Sequence, residues 1–313
     1  MAVDVGGTLI KAVVVAGDGQ VIRRARIPTA AHEGGGSVLA RLAEFGANLI
    51  GQARELDECL PAAFGVAVPG VVDEAAGVAR FAANIGWRDA PIAGLLGQRL
   101  GVPVAVCHDV RAAALAEARL GAARREGDFL FVAIGTGIAA ALVLGGQPYP
   151  GAHTLSGELG HVTVTPGGTR CGCGATGCLE TVASAAAITR RYRELSGGRA
   201  VAGAADVARL VMTRDLVAQQ VWAEAVTALS AALAWCQSVL DPEFMVIGGG
   251  LSRAGRVLLD PLARELADRL TFQRMPQLAV STLGDEAGCA GAALAARFAA
   301  GLAPLPGFTP DPG

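Results

Sequence analysis

The chain has 313 residues, of which 52% are hydrophobic and 17% charged, and its net charge is -2. At roughly 150 residues per domain this length predicts about two domains, each able to bury a core without staples. So few charges beside so much apolar content exclude a disordered chain, and a pI near 6.1 excludes the electrostatic footprint of a nucleic-acid binder.

In chain order, residues 2–5 and 10–16 read as strands joined by Gly6-Gly7-Thr8, and residues 21–27 return after Gly17-Asp18-Gly19. Met1 runs into the first strand with no basic leader, so no secretory segment is expected. Residues 37–54 have helical spacing with Ser37 as the expected cap. Residues 63–68 are a buried strand stopped by Pro69-Gly70, 95–100 a helix, 102–107 a strand, and 112–120 a helix by alanine propensity. The pattern then repeats, with strands at 129–134 and 138–144 around Gly135-Thr136-Gly137. A mean hydropathy of +0.44 raises the question of a membrane. The uncharged stretch 129–151 is long enough to span one, but its glycines and prolines break the run of about 20 apolar residues a spanning helix needs. Beyond a loop-rich segment at 145–177, residues 179–193 and 217–240 are helical, and 244–247 is a strand ending in Gly248-Gly249-Gly250. Helices at 260–270 and 286–300 flank a strand near 278–282, and the proline-rich tail from Pro304 is expected to fray.

Cys59, Cys107, Cys236 and Cys289 read as small buried apolar residues, and no disulfide framework is expected. His161, Cys171, Cys173 and Cys178 are different: three thiolates and one imidazole with interleaved glycines match a closed, four-coordinate structural zinc site. Glu158 and Glu180 flank that cluster.

Asp4-Val5-Gly6-Gly7-Thr8 sets a carboxylate beside glycines whose N–H groups can approach an oxyanion, with Thr8 adding a hydroxyl. Asp4 also suits a magnesium ion held through water. One such turn is equally an ordinary hairpin. A second, Gly135-Thr136-Gly137, makes a bipartite phosphate clamp the better reading. Neither turn is a Walker A loop, and no G-x-G-x-x-G opens the first strand. The triple glycine at 248–250 would let a flat adenine ring lie on the backbone, or be a plain strand-to-helix turn. Asp109, at a strand end, can act as a general base toward an alcohol or merely cap the next helix.

With these residues in place the chain resembles the ROK family of bacterial sugar kinases and repressors over nearly its whole length. The resemblance is carried by Asp4 to Thr8, Pro69-Gly70-Val71-Val72-Asp73, Asn84-Ile85-Gly86-Trp87 and Gly135-Thr136-Gly137. Most specific is Gly157-Glu158-Leu159-Gly160-His161 leading into Cys171-Gly172-Cys173-Gly174 and Gly177-Cys178-Leu179-Glu180. It implies a two-domain α/β, actin/hexokinase-like (ribonuclease-H-like) ATPase fold with an interdomain cleft. Residues 1–108 plus 289–313 are expected to form the smaller domain, and 109–288 the larger one with the zinc-binding loop. The resemblance further implies ATP and Mg2+ at Asp4, Gly6, Gly7, Thr8, Lys11, Gly135, Thr136 and Gly137, with adenosine near Gly248, Gly249 and Gly250. Asp109 falls at the family's catalytic base. Asn84, His108, Glu158, His161 and Glu180 fall where relatives hold sugar hydroxyls.

Two departures stand out. Relatives commonly read N-D-x-N around the base, whereas here His108 and Arg111 take the asparagine positions. The second turn continues Ile138-Ala139-Ala140-Ala141, where relatives carry more glycine, a change expected to alter packing. The implied activity is ATP-dependent phosphorylation of a hexose 6-hydroxyl, glucose first, with N-acetylmannosamine, fructose, mannose or allose as alternatives. A sugar-sensing repressor would place a winged helix before the sugar domain, for which Asp4 leaves no room. An idle sugar-binding module would follow if His108 misplaces Asp109. The resemblance favours a homodimer or higher homo-oligomer in the cytoplasm, with neither nucleic acid nor membrane as partner.

Overall fold

The computed structural model describes residues 1–57 and 61–308, so Cys59 lies outside the described residues. The chain divides into two compact units, 1–124 with 150–155 and 285–313, and 125–149 with 156–284.

The first unit opens with β1 (Ala2–Val5), β2 (Leu9–Val15) and β3 (Val21–Pro28), followed by α1 (Gly35–Asp57) and β4 (Phe64–Val68). A meander of β5 (Val71–Asp73), β6 (Val78–Ala82) and β7 (Trp87–Ala90) precedes α2 (Ile92–Leu100), β8 (Val104–His108) and α3 (Asp109–Leu120). The main sheet runs β3-β2-β1-β4-β8, antiparallel through the hairpins and parallel from β1 to β8. One face buries Val3, Val5 and Val66 under Leu42 and Phe45 of α1 and Leu96 of α2. The meander was not foreseen. Its short strands lack a long apolar run, and Trp87 pins it by donating its indole N–H to the Gly35 carbonyl at 2.8 Å. Ser37 is not the helix cap either: α1 starts at Gly35, and the Ser37 hydroxyl donates to Glu33 at 2.7 Å.

The second unit repeats the arrangement. Strands β9 (Phe129–Ile134), β10 (Ile138–Leu144) and β11 (Gln147–Pro148) come first, and α4 (Glu180–Ala183), α5 (Ala185–Leu195), α6 (Ala204–Met212) and α7 (Leu216–Leu240) follow. Then come β12 (Phe244–Gly248), α8 (Arg256–Arg269) and β13 (Gln277–Val280). The sheet order β11-β10-β9-β12-β13 again joins an antiparallel hairpin to a parallel half. The helix expected at 179–193 is broken at Ser184, whose extended backbone lets its hydroxyl accept the Ala187 N–H and cap α5. Helix α7 is long and apolar enough to cross a membrane by length and composition. Its Val221, Ala225, Leu229 and Leu233 are instead buried in this unit's core with Tyr192, Met245 and Leu262.

The last helix, α9 (Ala287–Ala299), returns to the first unit. It packs on β4 and α3 so closely that side chains at Gly65 and Gly291 would overlap the carbonyl oxygens of Ala292 and Ala112. Cys107, Ala112, Cys289 and Ala292 share that core. This packing draws α3 into the first unit, so the boundary falls at 124/125 and not at 108/109 as expected. Cys107 and Cys289 are buried as expected, whereas Cys236 is only half-buried. The tail does not fray at once, because Leu305 is buried against α9's cluster with Phe308 beside it.

Candidate functional site

In the first unit, the Gly6-Gly7-Thr8 turn closes with the Gly6 N–H donating to Leu9 O at 2.9 Å. Thr29 braces the turn from behind, its hydroxyl donating to Gly6 O at 2.6 Å. Asp4 lies opposite Lys11 in the β1–β2 register. Burial raises the Asp4 carboxyl to about 6, an effect opposed by the Lys11 charge and assisted by Asp285. Helix α9 comes so near that a Cβ on Gly288 would lie 2.7 Å from the Asp4 carboxylate. Lys11 donates to the Asp285 carbonyl at 3.1 Å, with that residue's carboxylate 4.0 Å away. Asp285 was missed by the sequence reading because nothing in its local pattern tells that the chain returns here from the far end. Asn84, between β6 and β7, stands beside the same turn: a Cβ on Gly7 would meet its amide nitrogen at 3.6 Å.

Asp109 opens α3 at the end of β8. It is not the cap. His108 takes that position, and its Nδ1 accepts the Arg111 N–H at 3.3 Å. Asp109 Oδ1 accepts the Val110 N–H at 2.7 Å and lies 3.5 Å from His108 Nε2. Burial, and then the charges of Glu74, Asp4 and Asp109, push the Cys107 thiol well up, so the acidic groups of β1 and α3 bear on one spot. Burial also lowers His108 to about 3, with Arg111 adding to the effect. Its imidazole is therefore neutral at physiological pH.

In the second unit, Gly135-Thr136-Gly137 closes with Gly135 N–H donating to Gly137 O at 2.9 Å. Glu180, at the start of α4, packs directly behind. Its Oε2 accepts the Ile138 N–H at 3.0 Å and fills the place a Cβ on Gly137 would need. The Ala185 N–H, at the start of α5, donates to Gly135 O at 2.8 Å. A cavity of about 510 Å³ adjoins this turn, lined by Thr136, Thr189, Arg190, Arg193 and Gly203. Gly249, at φ 75° and pressed on the Ile134 carbonyl, admits no side chain, while the space around Gly250 is open.

The ligand atoms of His161, Cys171, Cys173 and Cys178 all lie within 4.8 Å of one another. Cys171 Sγ is 3.7 Å from His161 Nδ1, and Cys173 Sγ is 3.7 Å from Cys178 Sγ. A tetrahedral ion with bonds of about 2.3 Å sets its sulfurs about 3.8 Å apart, so the residues fit zinc. Burial and the neighbouring thiols push Cys178 up to about 12, a crowding that a bound cation relieves by favouring thiolates. The other ring nitrogen of His161 faces Glu158 at 3.8 Å, the carboxylate–histidine arrangement that orients a metal ligand. Loop geometry follows from local bonds: Cys171 N–H donates to Ala175 O at 2.8 Å, and Leu179 N–H to Val162 O at 2.9 Å. Thus Asp4, Lys11, Gly7, Asn84, His108 and Asp109 belong to the first unit, and the second turn, Glu158, His161, Glu180, the thiols and the triple glycine to the second.

A sequence model of the ROK family matches residues 1–298. The glucokinase of Halalkalibacterium halodurans is 34% identical over 93% of this chain and 92% of that protein. Among solved structures, a ROK hexokinase from Thermus thermophilus matches with a TM-score of 0.80 at 35% identity, covering 95% of this chain and 97% of that one. A ROK family glucokinase from Streptomyces griseus, in complex with glucose and AMPPNP, matches with a TM-score of 0.83 at 30% identity, covering 95% and 98%. The chain belongs to the ROK family, and its fold is the actin/hexokinase-like α/β fold.

Proposed function

We propose that this protein is an ATP-dependent hexose kinase that transfers the γ-phosphoryl group to the sugar 6-hydroxyl, with glucose as the substrate. The observation that carries the reading is the first unit's sheet. It sets Asp109 at the end of β8 and Asp4 on β1, one strand removed from β8, with Lys11 opposite Asp4 on β2, in a chain whose sequence relatives include glucokinases. The Streptomyces griseus enzyme bound with glucose and AMPPNP supports the same choice of sugar and nucleotide.

In this reading Asp109 accepts the proton of O6 as that oxygen attacks phosphorus, help of a kind that contributes about 10²–10⁴-fold. Lys11 supplies positive charge, and the turns closed by the Gly6 and Gly135 N–H groups leave those of Gly7, Thr8, Thr136 and Gly137 to supply oriented dipoles, since phosphoryl transfer depends on positioning and charge stabilisation. Asp4 would hold magnesium, which would supply positive charge to offset that of the phosphates. Gly248, Gly249 and Gly250 face the adenosine. Asn84, Glu158, His161 and Glu180 serve the sugar, a polyol suited to carboxylate and amide partners, and zinc would brace the segment carrying the last three; His108, expected among them, lies 3.5 Å from Asp109 instead. A homodimeric, cytoplasmic enzyme fits the family.

The test is a coupled ATP-depletion assay across glucose, mannose, fructose, allose and N-acetylmannosamine. Glucose should give the highest kcat/KM, and Asp109→Asn should cut kcat by about 10²–10⁴-fold with the melting temperature kept. No turnover on any sugar would defeat the kinase reading; a different preferred sugar would defeat only the choice of glucose.

A further inference from the structure

The residues standing where relatives carry asparagine are joined by a carboxylate with no counterpart in the motifs. Glu74, in the turn after β5, gathers two donors and the rest of a guanidinium's charge on one oxygen. Its Oε1 accepts the His108 backbone N–H at 3.0 Å and the Arg111 Nε–H at 3.0 Å, and Arg111 Nη2 lies 2.9 Å away. Arg111 is 4% exposed and also donates to the Thr154 carbonyl at 3.3 Å. A guanidinium so buried needs this compensation. Held by its backbone and boxed in by Arg111, His108 has one ring nitrogen committed: Nδ1 accepts the Arg111 N–H. The neutral ring therefore carries its proton on Nε2, and Nε2 is the atom 3.5 Å from Asp109 Oδ1.

We propose that Glu74, Arg111 and His108 form a clamp that positions Asp109, with Glu74 fixing the junction of β8 and α3 and the His108 Nε2–H steering the Asp109 carboxylate. At 3.5 Å the contact is longer than a good hydrogen bond, and contacts of this kind tighten once substrate is bound. This rests on the kinase reading above, with Asp109 as the base, and His108 and its two partners as positioning residues.

Two substitutions separate positioning from simple helix capping. Asn at 108 keeps an acceptor near the Nδ1 position, and asparagine is among the best caps, but it loses the donor at the Nε2 position. Gln reaches the Nε2 position with its amide N–H and caps poorly. His108→Asn should therefore keep the melting temperature while kcat falls about tenfold, as a small misplacement of a reacting group does. His108→Gln should melt about 2–4 °C lower yet lose only about threefold in kcat. The KM values for sugar and ATP should stay within about twofold in both, as when an interaction serving only the transition state is lost. Glu74→Gln should also lower kcat, and its loss combined with His108→Asn should be less than the product of the two.

Losses of kcat that follow the melting temperatures, or a rise in sugar KM with kcat intact, would overturn the clamp while Asp109→Asn still marked the enzyme as a kinase. If the unaltered chain transferred phosphate to no sugar, the kinase reading would fall, and the clamp with it.

Discussion

The two glycine turns occupy the same place in sheets of the same order, yet they are built from opposite materials. The first is charged: Asp4 pairs across the hairpin with Lys11, and Asp285 joins them from the chain's far end. The second is neutral along its strands, with Ala133 opposite Ala139; Glu180 accepts from the backbone at Ile138 behind the turn, and Arg190 and Arg193 only line the cavity beside it. A repeat of topology has therefore not kept a repeat of chemistry. The first unit concentrates ionisable groups on β1, β2 and the β8–α3 junction. The second offers backbone donors and a loop whose thiols and imidazole fit a zinc ion.

If that contrast holds, damage to the two units should differ in kind. The largest effect is the Asp109→Asn loss of about 10²–10⁴-fold in kcat, a chemical lesion that leaves folding intact. Losing the metal should act the other way, on structure first. Cys178→Ser, or exhaustive chelation, should release zinc and lower the melting temperature by more than about 10 °C, because ligand-bound zinc stabilises the fold by many kcal/mol. Trypsin should then cut at Arg170, within the ligand loop. Metal analysis with a thermal scan checks this; an intact zinc-free protein with the parent melting temperature would show the loop stands without its ion.

Within the second turn the contrast sharpens to single atoms. A methyl group on Gly137 would collide with the Glu180 carboxylate, whereas one on Gly135 meets nothing within 4 Å. Gly137→Ala should raise the KM for ATP about tenfold by displacing both the turn and Glu180, and Gly135→Ala should cost several-fold less. Equal losses in the two variants would mean that Glu180's place behind the turn has no bearing on the nucleotide.

Much of this was legible in the sequence for a physical reason. Turn glycines, strand alternation and thiol spacing are local signals, so both hairpins, the clustering of His161 with Cys171, Cys173 and Cys178, and the strand before Asp109 could be read directly. Long-range packing left no such trace. Whether α3 sides with residues before or after it is decided by Ala112 meeting Gly291, nearly 180 positions away. Asp285 reaching Lys11 is hidden for the same reason. His108 and Arg111 looked like defects because their compensation, Glu74, lies on a meander too short to announce itself.

The smallest effect concerns acid. His108, faced by Arg111, Glu74 and Asp109, is lowered to about 3 by burial and the Arg111 charge, so between about 3 and 6.5 the unfolded chain binds a proton the folded chain refuses. Stability from this residue is complete above about 6.5 and is lost as the pH falls below it, by about 1 kcal/mol at about pH 5.5. Asp4 works in reverse: raised to about 6, its folded carboxyl holds the proton more tightly than the unfolded one, so acid favours the fold there. The Met1 amino group, lowered to about 6 by burial, acts in the same direction as His108. Comparing the unaltered chain with His108→Asn removes the last two, which titrate alike in both proteins. On going from about pH 7 to about pH 5.5 the unaltered chain should lose roughly 3–5 °C more in melting temperature than the variant. Parallel losses would mean that His108 takes up its proton in the folded protein, and that its Nδ1 is not committed to the start of α3.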